Sequence, residues 1–321
     1  MIKKTILVTG GSGLVGSAFK SISIDDNLKY NLKYDFIFLS SSDCDLTDYN
    51  KTINYFTTVK PNFIIHLAAN VGGLFKNMAQ PVDMLEKNVL INLNVLKAAH
   101  AISVEKLIAC LSTCIFPDKL FFNKPLIETD LHLGSPHDSN SAYAYAKRLL
   151  ETQCVAYQKQ YGDNFICIIP TNIYGPEDNF NLEDAHVIPA LIHKCYLAKE
   201  KNEYFTISGS GKPLRQFIYS RDLALGIMLV LEDYKEMSSI IIAPDETSEV
   251  SISYVAQLIA KEFDYEHMLK FDTSKSDGQY KKTVSNNKFK KTIDCFNFTE
   301  IEEGLKKTIK WFLLSYPNIR K

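Results

Sequence analysis

The chain of 321 residues is 46% hydrophobic, which supplies apolar side chains for one or two cores and excludes a disordered chain. Its 36 Lys and Arg nearly balance 37 Asp and Glu, and the net charge of −1 excludes a strongly basic field that would hold nucleic acid without sequence selectivity. Seven Cys, an odd number with no C-x-x-C pair, argue for a reducing compartment and against a disulfide framework or structural zinc.

The N-terminus starts a strand within a few residues and lacks the basic and apolar regions of a secretory signal. No apolar run reaches the roughly 18 residues that a membrane helix needs. A soluble cytoplasmic protein with no membrane partner is expected.

Thr5-Ile6-Leu7-Val8-Thr9 predicts the first strand. Gly10-Gly11-Ser12-Gly13-Leu14-Val15-Gly16 follows it and opens a helix, with Gly10, Gly13 and Gly16 in G-x-x-G-x-x-G spacing. Glycine permits a tight turn and lets a diphosphate approach a helix N-terminus, where free N–H groups favour anions. In this context the loop predicts a dinucleotide site with Gly10, Ser12, Gly13, Leu14, Val15 and Gly16 as contacts.

The second strand, Phe36 to Ser40, runs into Ser40-Ser41-Ser42, where NAD binders carry an acid for the ribose 2′-hydroxyl. Hydroxyls at Ser41 and Ser42 suit a 2′-phosphate and favour NADP(H), although Asp43 lies close by. Asp45 and Leu46 are candidate adenine contacts; the plainer reading of that segment is a polar loop with a helix cap.

Further strands are predicted at Phe63 to Ala68, Leu107 to Ser112 and Phe165 to Ile169. These runs are apolar throughout, as strands covered on both faces are. Helical patterns over Met84 to Ala101 and Tyr143 to Tyr161 lie between them. The alternation predicts an α/β fold with a Rossmann-like, doubly wound parallel sheet. After Pro170 the rhythm changes, which points to a smaller α+β substrate-binding domain. The expected division is residues 1–169, with return segments near 216–243, against 170–215 and 244–321. Ile218-Tyr219 and the segment around Ile240 are expected to return to the sheet edge.

Tyr143 and Lys147, four apart, share one helix face. A phenol, with a pKa of about 10, is a poor acid-base catalyst at neutral pH, and a cation one turn away moves it toward working range. Ser112, at the end of the fourth strand, is placed to hydrogen-bond the same carbonyl oxygen. A Tyr-Lys pair alone is most often surface decoration; the glycine loop and Ser112 together give it a catalytic reading.

These features, with Leu67-Ala68-Ala69 after the third strand and Asn88 in a crossover helix, resemble the extended short-chain dehydrogenase/reductase family. Val71-Gly72-Gly73, Ser112-Thr113-Cys114, Pro170-Thr171-Asn172-Ile173, Asp178-Asn179-Phe180 and His186-Val187-Ile188 narrow the resemblance to its GDP-4-keto-6-deoxy-D-mannose 3,5-epimerase/4-reductases. Gly209-Ser210-Gly211, Arg215-Gln216-Phe217 and Ser276-Asp277-Gly278 extend it nearly end to end.

The resemblance implies conversion of GDP-4-keto-6-deoxy-D-mannose to GDP-L-fucose with NADPH, by a homodimer joined through helices of the cofactor domain. It makes Cys114 the base and His186 the acid of C3/C5 inversion. Ser112 and Tyr143 then hold the ketone oxygen, and Lys147 holds the nicotinamide ribose. Ala68, Ala69, Pro170, Asn172 and Ile173 become cofactor contacts, and Asn172, His186 and Lys194 substrate contacts. Arg215 suits a diphosphate, and Asp277 suits sugar or ribose hydroxyls. Some relatives carry Trp where this chain has Ser208, so the contact expected at Ser208 lacks a stacking ring. His186 and His193 have no Cys or carboxylate to complete a metal site, and no metal is expected.

Two other functions are weighed. A 4-epimerase or 4,6-dehydratase would recycle tightly held NAD, and Cys114 with His186 argues against it. A dinucleotide-sensing protein without turnover is at odds with an intact Ser112–Tyr143–Lys147 set.

Overall fold

The computed structural model describes residues 3–118, 124–275, 277 and 279–321. Ser276 and Gly278, two residues of the motif around Asp277, lie outside the described residues.

In chain order the first half runs β1 (Lys4–Thr9), α1 (Leu14–Ser23), β2 (Tyr34–Leu39), α2 (Tyr49–Val59), β3 (Phe63–His66), α3 (Pro81–Ala101), β4 (Lys106–Cys110), α4 (Ser141–Tyr161) and β5 (Phe165–Pro170). Later come α5 (Val187–Lys201), α6 (Ser220–Asp233) and β6 (Ile240–Ile242). Pro81 starts α3 where its missing N–H costs nothing, and Gly162, left-handed at φ 76°, ends α4.

Six strands form one sheet in the order β6-β5-β4-β3-β1-β2, with every neighbouring pair parallel. Alternation along β1 explains why its run is apolar throughout. Leu7 faces a core with Ile64, Leu107 and side chains of α2, α3 and α4; Ile6 and Val8 face a second core with Ile65, Ile108, α1 and α6. A third core, around Phe180, Leu191, Phe205, Phe263 and Phe312, lies in the C-terminal half.

The segment around Ile240 returns to the sheet edge as β6, paired with β5. Ile218-Tyr219 does not. Phe217–Tyr219 pairs in parallel with Asn172–Tyr174 as a separate two-stranded ladder. The physical reason is again alternation: Ile218 packs in the α1/α6 core, whereas Phe217 and Tyr219 pack in the third. Three residues thus serve two cores at their seam.

Candidate active site

The carboxyl ends of the strands are in register, with Thr9 opposite both Leu39 and His66, and His66 opposite Ala109. Thr9 Oγ1 accepts hydrogen bonds from the Leu67 and Ala68 amides at 3.2 Å and bonds His66 Nδ1 at 2.8 Å. This ties the end of β3 to the start of the glycine loop. Burial holds His66 down at about 3, so the ring is neutral.

Gly10 is left-handed at φ 71°, and a Cβ there would stand 2.8 Å from the Ala68 nitrogen. At Gly16 a Cβ would stand 2.5 Å from the Gly10 carbonyl oxygen. Gly13 is the N-cap of α1 and offers no side-chain acceptor, so the first amides of the helix stay open to an anion. At the end of β5, Thr171 Oγ1 is buried without a hydrogen-bond partner, flanked by Pro170 and Asn172. An open helix end, glycines where side chains would collide and an orphaned hydroxyl at the same sheet edge fit a dinucleotide.

After β2, Ser41 and Ser42 are exposed. Ser40 donates to Asp43 through both its amide (2.9 Å) and its hydroxyl (2.5 Å), which holds the Asp43 carboxyl below its usual range. The carboxylate is thus folded back onto its own turn. Lys20, near the end of α1, lies over the Phe38 ring and adds positive charge beside Asp43. Asp45 is also occupied locally, accepting from the Thr47 amide and hydroxyl at 3.0 and 2.6 Å. Leu46 is buried, and its carbonyl accepts from Asn94.

Ser112 sits two residues beyond the end of β4 and caps a short 3-10 turn, Thr113–Ile115. Its Oγ accepts from the Cys114 amide at 3.3 Å, which brings thiol and hydroxyl together. Burial pushes the Cys114 thiol up, opposed by the Ser112 hydroxyl and by positive charge at Lys282, Lys147 and Arg148. Lys147, almost fully buried, donates from Nζ to the Cys110 carbonyl at 2.6 Å, and burial pulls its pKa down. Its Nζ is 5.8 Å from the Tyr143 ring centroid. The expectation that Lys147 lowers the Tyr143 phenol is corrected here. Burial carries Tyr143 well above its ordinary value, and the neighbouring thiols of Cys114 and Cys110 add to the rise.

His186 stands elsewhere in the chain, exposed at the N-cap of α5. The loop before it is held by Gly73, whose amide donates to the Asp184 carbonyl at 2.6 Å; a Cβ on Gly73 would stand 2.6 Å from the Ala185 oxygen. Val71-Gly72-Gly73 therefore reads as the loop that seats the His186 segment. Near His186 lies Asp178, almost fully buried, with Oδ1 accepting from the Asn179 amide and Oδ2 without a partner. Burial raises its carboxyl to about 6, with positive charge at His186 opposing.

Arg215 is partly buried and turns Nη1 toward the Leu214 carbonyl (2.7 Å); its charge acts on Lys282, whose charge in turn reaches Cys114. Asp277 binds Ser210 through both carboxylate oxygens, at 2.8 Å to the amide and 2.6 Å to the hydroxyl, and so closes the Gly209–Gly211 turn beside Ser208. Lys194 lines a cleft of about 180 Å³ with Leu182, Glu203 and Tyr204. Asn172 donates from Nδ2 to the Gln216 carbonyl at 2.9 Å, and Ile173 packs against the α1/α6 core.

The structure thus brings Ser112, Cys114, Tyr143 and Lys147 together. It adds Lys282 and Arg148, which sequence reasoning missed. Arg148 donates to the Ile115 carbonyl at 2.7 Å and keeps Nη2 buried without a partner. Asp178 was legible only as part of a motif. All seven Cys are free. Among the described residues, no group of three or more His, Cys, Asp or Glu is placed to hold a metal ion.

The family described as NAD dependent epimerase/dehydratase matches residues 6–243. The GDP-L-fucose synthase of Dictyostelium discoideum is 49% identical over 319 residues, spanning 99% of this chain and 98% of its own. The GDP-L-fucose synthase of Sinorhizobium fredii is 35% identical over 312 residues, 97% of this chain and 96% of its own. The crystal structure of a GDP-L-fucose synthetase from Naegleria fowleri bound to NADP superimposes with a TM-score of 0.92 at 45% identity, covering 99% of this chain and 95% of that one. On residues matched from end to end, the chain belongs to the NAD dependent epimerase/dehydratase family, in its GDP-L-fucose synthase branch.

Proposed function

We propose that this chain converts GDP-4-keto-6-deoxy-D-mannose to GDP-L-fucose, inverting C3 and C5 and then reducing the C4 ketone. The observation that carries the reading is the Ser112–Cys114 turn beside Tyr143 and Lys147, in a chain 49% identical to a named synthase over nearly its full length.

The C3 and C5 protons are acidic because the C4 ketone can take up their charge as an enolate. Hydroxyls of Ser112 and Tyr143 aimed at that oxygen stabilise the charge as it develops. Cys114 removes the proton and His186 delivers one to the opposite face. Bound NADPH supplies the hydride for reduction. Tyr143, kept protonated by burial, then gives O4 its proton. Gly10, Ser12, Gly13, Leu14, Val15 and Gly16 take the diphosphate end of the cofactor. Ser41, Ser42 and Lys20 take the 2′-phosphate, Asp45 and Leu46 the adenine, and Ala68, Ala69, Pro170, Asn172, Ile173 and Lys147 the remainder. Asn172, Lys194, Ser208, Arg215 and Asp277 are assigned to the GDP-sugar.

The same proposal assigns cofactor binding to residues 1–169 with return segments near 216–243, and substrate binding to 170–215 and 244–321. It also makes the protein a homodimer: Leu90 and Leu93 of α3 and Tyr145 and Leu149 of α4 are 40–47% exposed on two helices that pack side by side. No helix among the described residues is long and apolar enough to cross a membrane, and seven unpaired Cys suit the cytoplasm.

The test is incubation of the purified protein with GDP-4-keto-6-deoxy-D-mannose and NADPH. NADPH should be consumed and GDP-L-fucose formed. Failure to consume NADPH rejects the reading, and stoichiometric NAD retained through purification would favour a cofactor-recycling 4-epimerase or dehydratase.

A further inference from the structure

The glycine loop carries no cation. Residues 10–16 are Gly-Gly-Ser-Gly-Leu-Val-Gly, so the double negative charge of a dinucleotide's diphosphate meets only backbone amides and a hydroxyl there. A cation does arrive, from the other end of the chain. A Cβ built on Gly13 would have two neighbours within 4 Å: the Gly10 carbonyl oxygen at 3.3 Å and Arg320 Nη1 at 3.9 Å.

The position of Arg320 is fixed by its surroundings. Ile319 is buried in the third core, and the Arg320 carbonyl accepts a hydrogen bond from the Phe180 amide at 2.9 Å. The guanidinium itself is exposed and has no hydrogen-bond or ion-pair partner among the described residues, although its charge is felt at the buried carboxyl of Asp178. A planar group with five donors therefore hangs beside an uncapped helix end, with nothing of the protein to bind.

We propose that Arg320 is a cofactor-binding residue that closes over the NADP(H) diphosphate from the side opposite the α1 amides. The inference rests on the dinucleotide reading of the glycine loop. It gives the loop the side-chain charge that its own sequence lacks. It also makes one residue touch both halves of the reaction: the side chain reaches the cofactor, while the backbone holds the Asp178–Phe180 segment that leads to His186.

The experiment measures binding of NADPH and of adenosine 2′-phosphate to the full-length protein by calorimetry at low and moderate salt. Wild type is compared with Arg320→Gln and Arg320→Lys, with melting curves alongside. A lost charge-assisted contact should weaken NADPH roughly ten- to hundredfold in Arg320→Gln and flatten the salt dependence. Arg320→Lys should recover part of the loss. Adenosine 2′-phosphate, which has no diphosphate, should bind all three proteins alike. Unchanged NADPH affinity, equal losses for both ligands, or an effect confined to the KM of the GDP-sugar would overturn the proposal. Wild-type protein that binds no dinucleotide would instead overturn the reading beneath it. If Arg320→Gln melts early, Arg320→Lys with wild-type melting and weakened NADPH still decides the matter.

Discussion

The Lys147 ammonium is held by the Cys110 carbonyl at 2.6 Å, and not by the phenol of Tyr143 one turn earlier on α4. Strand β4 therefore fixes the cation, and burial, helped by the neighbouring thiols of Cys114 and Cys110, keeps the phenol protonated.

Tyr143→Phe removes the donor for O4 without disturbing that arrangement. Ketone reduction should fall about 10²- to 10⁴-fold, the range for losing a positioned acid. NADPH affinity should persist, and deuterium uptake at C3, which keeps the Ser112 hydroxyl on the enolate oxygen, should fall less than reduction does. Nicotinamide absorbance and mass spectrometry of recovered substrate in D₂O separate the two readouts.

Cys114→Ser should do the reverse. Deuterium incorporation at C3 and C5 should fall about 10²- to 10⁴-fold, while reduction of an already epimerised ketone is largely spared. Equal losses in both would remove Cys114 from the base role. Because burial dominates the thiol and raises it, its thiolate grows only as pH climbs. The exchange rate of wild type should therefore rise with pH above the ordinary thiol range, and the Ser variant should lose that rise.

Asp178 gives a pH signature in stability. Its folded carboxyl, at about 6, lies above the ordinary value of 3.8, so the folded state binds more protons between these limits. Stability should fall as pH rises through this window, by about 3 kcal/mol at 1.36 kcal/mol per unit. Asp178→Asn keeps an acceptor for the Asn179 amide and should abolish the slope. Urea unfolding between pH 4 and 7 would show a flat difference between the two proteins if this account is wrong.

Gly16→Ala places a methyl 2.5 Å from the Gly10 oxygen, so the loop or α1 must shift. NADPH affinity should drop at least about tenfold, since a displaced helix end loses its alignment with the anion. Titration of intrinsic fluorescence with NADPH measures this directly.

Leu93→Glu, on the exposed face of α3, should split the dimer with little effect on the fold. Sedimentation velocity would show a lighter species with an unchanged far-ultraviolet spectrum. A wild-type protein already monomeric at micromolar concentration would end the dimer proposal.

Much of the sheet was legible because β1, β3, β4 and β5 are apolar on both faces, a pattern that short range suffices to produce. The glycine loop and the Tyr143–Lys147 pair were legible for the same reason: spacing along one element sets their geometry. Lys282 and Arg148 were not. One Lys of the Lys281-Lys282 pair in a turn-rich stretch and an Arg on a mixed helix look like ordinary surface charges, and only the fold gathers them around a thiol. Ile218 misled because three residues cannot show which partner they will pair with; two cores compete for their alternate faces. The bonding of Asp43, Asp45 and Asp277 within their own turns was likewise invisible, since an acid in a polar loop reads the same whether it faces a ligand or its neighbour.

The Phe217–Tyr219 strand carries a consequence for how such chains can diverge. Its middle side chain belongs to one interior and its flanking two to another. Insertions and deletions in the surrounding loops leave that assignment intact. A slip of a single position inside the strand would turn Ile218 toward the aromatic interior and thrust two rings against α1 and α6. Length variation should therefore stop short of these three positions, however freely the loops on either side drift.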